Sequence, residues 1–155
     1  MWTRRTWVSL MFLSAFMLAA GSASAQSGFG VRAGATASPD QFYLGAHMDV
    51  KEIVERFWFR PNAEIGFGSG LTLFSLNGEF VYDIPLKSST RWVPYVGGGP
   101  ALLIGTVNTP VGRFTDTGGG FNFLGGIRQR KGLMAEMKLG AIDSPDFKIG
   151  IGWTW

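Results

Sequence analysis

The ten residues Asp146-Phe-Lys-Ile-Gly-Ile-Gly-Trp-Thr-Trp155 constrain the fold more than any other stretch of the chain. Strand side chains alternate with a period of two, so Phe147, Ile149, Ile151, Trp153 and Trp155 share one face. Asp146, Lys148, Gly150, Gly152 and Thr154 share the other. An apolar face that ladders down to a terminal aromatic is rare in a soluble protein. It suits a strand that closes a barrel in a bilayer, where lipid rewards the outer face and aromatics mark the interface.

The same alternation recurs upstream. Eight segments carry it: 29–37, 42–50, 57–67, 71–84, 92–104, 119–128, 133–141 and the terminal stretch. In the second, Phe42, Leu44, Ala46, Met48 and Val50 oppose Tyr43, Gly45, His47 and Asp49. In the third, Phe57, Phe59, Ala63, Ile65 and Phe67 oppose Trp58, Arg60, Asn62, Glu64 and Gly66. The fourth sets Phe74, Leu76, Phe80 and Tyr82 against Ser75, Asn77, Glu79 and Asp83, and the seventh sets Leu133, Ala135, Met137 and Leu139 against Glu136 and Lys138. The fifth segment is apolar on both faces and rich in glycine. Most segments have the roughly 9–11 residues that a tilted membrane strand needs. None past residue 26 has the length and 3.6-residue period of an amphipathic helix. Pro61 falls mid-strand and removes a ladder donor, which points to a bulge there. Pro94 and Pro100 bracket the fifth segment and raise the same question.

The connections fall into two sets. Residues 51–56, 85–91 and 129–132 form one, and 38–41, 68–70, 105–118 and 142–145 form the other. An even strand count puts both termini on one side. With that side periplasmic, the first set are periplasmic turns, and the longest connection, 105–118, is an outer loop.

The N-terminus reads as an address. Arg4 and Arg5 precede an apolar run from Trp7 to Ala20, and Gly21-Ser-Ala-Ser-Ala25 offers a peptidase site, so 1–25 is expected to be a cleaved signal peptide and 26–155 the barrel domain. The apolar run is shorter than the roughly 20 residues of a helical span. Loss of Arg4 and Arg5 leaves twelve basic against eleven acidic side chains, a net charge of +1, so the basic balance of the full chain argues for no nucleic-acid partner. No cysteine is present, which excludes disulfides, thiolate chemistry and a lipidated cysteine. The 23 glycines, 13 Phe, 6 Trp and 3 Tyr fit an all-β chain with tight bends.

A soluble barrel of the lipocalin type also alternates, with its apolar face inside. The polar face here carries Arg32, Arg60, Lys138 and Lys148 against Glu64, Glu79 and Glu136. Charges so nearly balanced can be buried as hydrogen-bonded pairs in a narrow eight-stranded interior. The apolar face is too bulky and uniform to fill that interior, and suits lipid. The expected fold is an all-β, eight-stranded antiparallel up-and-down transmembrane barrel.

Lys148-Ile-Gly-Ile-Gly-Trp-Thr-Trp155 resembles the terminal signal of bacterial outer-membrane proteins, and Trp92-Val-Pro-Tyr-Val-Gly-Gly-Gly-Pro100 resembles a strand common in eight-stranded barrels of the OmpA/OmpX type. The resemblance spans essentially all of 26–155. It implies a Gram-negative outer-membrane location, lipid and lipopolysaccharide as surroundings, and recognition of Trp153 and Trp155 by the outer-membrane assembly machinery. The chain departs from peptidoglycan-tethered members in ending at the barrel, so no tethering role is expected.

Little chemistry is visible. His47 is the single histidine, and on this register it faces the lumen. Some outer-membrane barrels are lipid A deacylases with a His-Ser pair on a lipid-facing strand; no serine neighbours His47. Glu64 and Glu79 suggest acid–base work or a metal, but nearby Arg60 favours ion-pair packing. Gly97-Gly-Gly99 and Gly118-Gly-Gly120 read as bend points and as space for bulky lumen neighbours, not as nucleotide loops. No catalytic, metal or cofactor residue and no cofactor are expected, and the chain is not expected to be an enzyme. Two roles remain: a structural or surface-interaction protein plugged by its own charges, with Val107, Val111, Arg113 and Phe114 as contact surface, or a narrow channel or transporter for small or hydrophobic solutes.

Overall fold

The computed structural model describes residues 28–86, 91–129 and 131–155. The expected signal segment 1–25 and the expected start at Gln26 lie outside them. Among the described residues there are nine strands and no helix: β1 (Gly28–Ala37), β2 (Gln41–Asp49), β3 (Lys51–Val54), β4 (Phe57–Gly68), β5 (Leu71–Asp83), β6 (Val93–Thr109), β7 (Gly112–Arg128), β8 (Gly132–Ile142) and β9 (Phe147–Thr154). Every pairing is antiparallel, and each strand pairs with its neighbours in sequence except that β2 and β3 do not pair with each other. β1 then pairs with β9, and β2 with β4, which closes the sheet into a barrel. β2 and β3 are successive parts of one stave, so the barrel has eight staves, as the alternating segments imply.

Closure fixes which face is inside. Arg32, Arg60, Glu64, Glu79, Glu136, Lys138 and Lys148 are all buried, while Phe42, Leu44, Phe80, Leu139, Ile151 and Trp153 are exposed. A soluble lipocalin-type interior is thereby overturned. Burying these charges is tolerable only because they are paired, and the apolar outside calls for an apolar solvent.

The turn Ser69-Gly70 shows how local chemistry sets register. Both residues have positive φ, 52° and 70°, the signature of a two-residue type I′ hairpin. Gly68 therefore pairs with Leu71, and the ladder runs down to Arg60 opposite Glu79.

Pro61 sits opposite the expected irregularity. From His47 to Lys51 one stave advances four residues while β4 goes back only three, from Asn62 to Phe59, so an extra residue lies across from Pro61. Pro61 itself pairs in register with Gly78, and the β5–β6 ladder omits Gly78 and Glu79, where Pro100 has no N–H to give.

Two expectations need correction. Residues 51–56 are not simply a turn: Lys51–Val54 continues the second stave as β3, and only Glu55-Arg56 turns. The expected outer loop 105–118 is a continuous hairpin in which Val107 pairs with Phe114 and Thr109 with Gly112 around Pro110-Val111. Its β-branched residues Thr106, Val107, Thr109, Thr115 and Thr117 favour the extended backbone.

Candidate functional site: the charged lumen and the hairpin mouth

β1, β2, β4, β5, β7, β8 and β9 each send charged side chains to the axis, because within the barrel wall each keeps its charged residues on a single parity. At mid-height, Lys138 Nζ donates to Glu64 Oε1 at 2.9 Å and to Glu79 Oε1 at 2.5 Å. Lys148 Nζ donates to the other oxygen of Glu64, Oε2, at 2.8 Å. Arg32 Nη1 donates to Glu136 Oε1 at 3.0 Å and lies 3.5 Å from Glu64 Oε1 and 3.7 Å from Glu79 Oε2.

Towards the end that holds the termini, Arg60 Nε donates to Asp49 Oδ1 at 2.7 Å. Arg128 Nη1 holds the second oxygen of Asp49 at 2.8 Å, and its Nε and Nη2 grip both oxygens of Asp83 at 3.1 and 2.7 Å. That fork-on-fork geometry suits guanidinium and is not available to lysine. Arg60 Nη1, 3.4 Å from Glu136 Oε2, joins the two layers.

The network contains five cations, Arg32, Arg60, Arg128, Lys138 and Lys148, and five anions, Asp49, Glu64, Glu79, Asp83 and Glu136. Sequence reasoning brought seven of these together. It placed Asp49 and Asp83 on the polar face but left them, and Arg128, out of the charge balance. It missed Tyr95, whose hydroxyl donates to Glu136 Oε2 at 2.7 Å and whose ring lies 5.0 Å from the Arg60 guanidinium. The available signal was parity: Tyr95 is the bulky inward residue of a strand whose inward neighbours Gly97 and Gly99 are small.

The glycines divide by role. A Cβ at Gly150 or Gly126 would strike the ring of Tyr43 or Tyr95, so these glycines do make room for bulky lumen side chains. Gly97 and Gly99 instead let the β5 backbone approach, and Gly118 and Gly120 accommodate Asp143 and Ser144.

His47 lies in the lumen as expected. Its Nε2 is 3.0 Å from Thr154 Oγ1, a partner that the search for a neighbouring serine missed. Both residues are buried, and the pair joins β2 to β9 across β1. Between Arg60 and Glu64 along β4, Asn62 accepts from Asn77 at 2.8 Å, and Asn77 accepts from Asn122 at 3.0 Å, which ties three strands together.

At the end opposite the termini, the connections at Ser38–Asp40, Ser69-Gly70 and residues 143–146 are short, while the β6–β7 hairpin rises beyond them. Its pairing with β5 stops at Leu71–Val107, and pairing of β7 with β8 starts only at Gly120–Ile142. Of the expected contact residues, Val107 and Phe114 face the barrel axis and Arg113 faces outward, where its Nε donates to Asn108 Oδ1 at 3.2 Å; Val111 is in the turn.

No family model matches the sequence, and neither does any curated protein. Solved structures do. The chain is similar to Neisserial surface protein A, with a TM-score of 0.63 at 14% identity, covering 83% of this chain and 96% of that one. It is similar to the N-terminal β-barrel domain of Pseudomonas aeruginosa OprF, with a TM-score of 0.64 at 10% identity and the same coverages. The chain thus has the closed eight-stranded, OmpA-like barrel fold of outer-membrane proteins.

Proposed function

We propose that this chain is a small integral protein of the Gram-negative outer membrane, with its lumen closed by its own ion pairs and with a structural or surface-interaction role. One observation carries this reading: five cations and five anions interlock across the lumen and neutralise one another, all of them buried except the half-buried Asp83. Opening a path through them would strand charges at low dielectric, at several kcal/mol each. The apolar outer face supplies the solvent argument for a bilayer, and the signal segment and terminal aromatics supply the export and assembly argument. On this reading the termini are periplasmic and the hairpin end faces outward, among lipopolysaccharide. No enzymatic role is proposed, because the one histidine is occupied with packing β2 against β9.

A second reading, a narrow channel, has one observation in its favour. Arg32 Nε and Nη2, Glu79 Oε2 and Asn62 Nδ2 are buried without a hydrogen-bond partner in the protein, so the interior keeps polar groups for water to serve. Planar-bilayer conductance of the refolded mature chain separates the two, with heat-modifiable gel mobility as the folding control. The closed reading expects no steady conductance from protein that is folded by mobility. Steady unitary currents would establish the channel instead.

A further inference from the structure

The polarity of the sheet inverts along the hairpin. Within the barrel the β5, β6 and β7 side chains that face outward are apolar, as at the row Leu76 and Leu102, and those that face the axis include Asn77 and Asn122. Above it, the outward row becomes Thr72, Thr106 and Thr115, with the Thr106 and Thr115 hydroxyls 3.2 Å apart. The axis-facing row at that height becomes Leu71, Val107 and Phe114. Beyond the barrel wall the hairpin thus turns apolar residues over the barrel mouth and threonines outward. Val107 is 39% and Phe114 60% exposed, and among the described residues nothing covers them.

Directly below that row, on the same face, Gly105 pairs with Asp116 and Leu103 with Gly118. Because Gly118 has no side chain, Asp143 reaches this spot: its Oδ2 lies 2.6 Å from where a Cβ would stand. The two carboxylates each cap an edge amide, Asp116 Oδ1 accepting from Thr117 N–H at 2.9 Å and Asp143 Oδ2 from Gly119 N–H at 3.2 Å. Neither has a cation within ion-pair distance among the described residues, and both are exposed. The remaining rim aspartates, Asp40 and Asp146, are exposed as well, and Arg113 points to the opposite face.

We propose that the axis-facing surface of the β6–β7 hairpin binds a cationic amphiphile, with its apolar chain on Leu71, Val107 and Phe114 and its ammonium or guanidinium group on Asp116 and Asp143. Charge complementarity selects this occupant. An anionic lipid would set its headgroup against two uncompensated carboxylates, and a neutral chain would leave them unused. Lipopolysaccharide is therefore the wrong sign for this surface, although it surrounds the barrel. The proposal extends the surface-interaction reading and rests on the hairpin end lying in water above the membrane.

The test uses the mature chain in phosphatidylcholine nanodiscs, with decylammonium below its micellar concentration as probe. Methyl and aromatic NMR shifts report the site, and empty nanodiscs correct for partitioning. The expected result is saturable one-to-one binding, with shifts confined to Leu71, Val107 and Phe114, and no saturable binding of decyl sulfate. Asp116→Asn with Asp143→Asn retains a carbonyl oxygen to cap each amide but removes the charge, and should weaken binding about tenfold. Val107→Ser with Phe114→Ser should abolish it. Equal binding of decyl sulfate, unchanged affinity in the Asn variant, or shifts confined to lipid-facing residues such as Leu102 would overturn the proposal. Loss of heat-modifiable mobility in the parent chain would instead count against the membrane-barrel reading itself.

Discussion

Arg60 and Glu79 are direct cross-strand partners on β4 and β5, yet neither uses the other as its principal ion pair. Arg60 binds Asp49, and Glu79 binds Lys138. Backbone register and side-chain pairing separate because long side chains in a narrow lumen reach across the axis as easily as along a strand.

A double-mutant cycle should show this. Arg60→Met and Asp49→Asn should couple by about 1–3 kcal/mol, as buried contacting pairs do, while Arg60→Met and Glu79→Gln, which belong to one network but form no direct ion pair, should couple by less than about half of that. Each single change should cost up to about 3–5 kcal/mol, since it unbalances a buried charge network even though each former partner keeps a second counterion. Urea unfolding in lipid vesicles measures both. Coupling between Arg60 and Glu79 as large as that of Arg60 with Asp49 would contradict the geometry.

The strands and their faces were legible in the sequence, because alternation is a local signal, and the two-residue turn Ser69-Gly70 then sets residue 60 against residue 79. The lumen network was not. Arg32 and Glu136 are separated by 104 positions and meet only because closure brings β1 and β8 to one axis. Membership of the polar face could be read from parity; partner choice within it depends on the tilt and closure of the whole barrel. The hairpin was misjudged for a different reason. Its apolar and polar faces exchange sides above Gly105, so the alternation that marks a membrane strand no longer carries the same meaning there.

Tyr95→Phe should destabilise the barrel by about 1.5–3 kcal/mol, the worth of a hydrogen bond to a buried carboxylate. Glu136 Oε2 would lose its 2.7 Å donor and keep only the more distant Arg60, at 3.4 Å. The fold should survive, since the ring that covers Arg60 is retained. Equilibrium unfolding of parent and variant side by side checks the value. A neutral outcome would mean that another donor replaces the phenol.

The polarity inversion sets the height of the bilayer on one side of the barrel. Met137 is on the lipid face of β8, so Met137→Arg should cost about 2–4 kcal/mol. Thr115 faces outward beyond the inversion, so Thr115→Arg should change stability by no more than about 0.5 kcal/mol. The comparison is made by unfolding in vesicles and not in detergent, where a flexible micelle would blur the boundary. Equal penalties would place the hairpin inside the bilayer.

Export should remove 1–25, leaving Gln26 at the N-terminus, because Ala23 and Ala25 have the small side chains that a signal peptidase admits. Intact-mass analysis of the protein from purified outer membrane reads this directly. A chain that keeps residues 1–25 there would refute the signal-peptide reading.

The last strand should be indispensable for assembly. β9 pairs with β8 on one side and with β1 on the other, and so is the stave that joins the two ends of the chain. Trp153 stands opposite Val31 and Leu133, Trp155 N–H donates to Phe29 O at 2.8 Å, and the Trp155 and Phe29 rings stack with centroids 6.1 Å apart. Removing 153–155 takes away these contacts, the interfacial anchors, and Thr154, the hydroxyl that holds His47. Backbone groups of β1 near Gly30 would then face lipid unpaired, which a bilayer does not tolerate. The truncated chain should cross the inner membrane normally, fail to close, and be degraded by periplasmic proteases. Cell fractionation with heat-modifiable mobility follows each step. Normal levels of a heat-modifiable, protease-resistant form in the outer membrane would show that the barrel closes without the end of β9, and that neither the aromatic anchors nor the Thr154–His47 contact directs assembly.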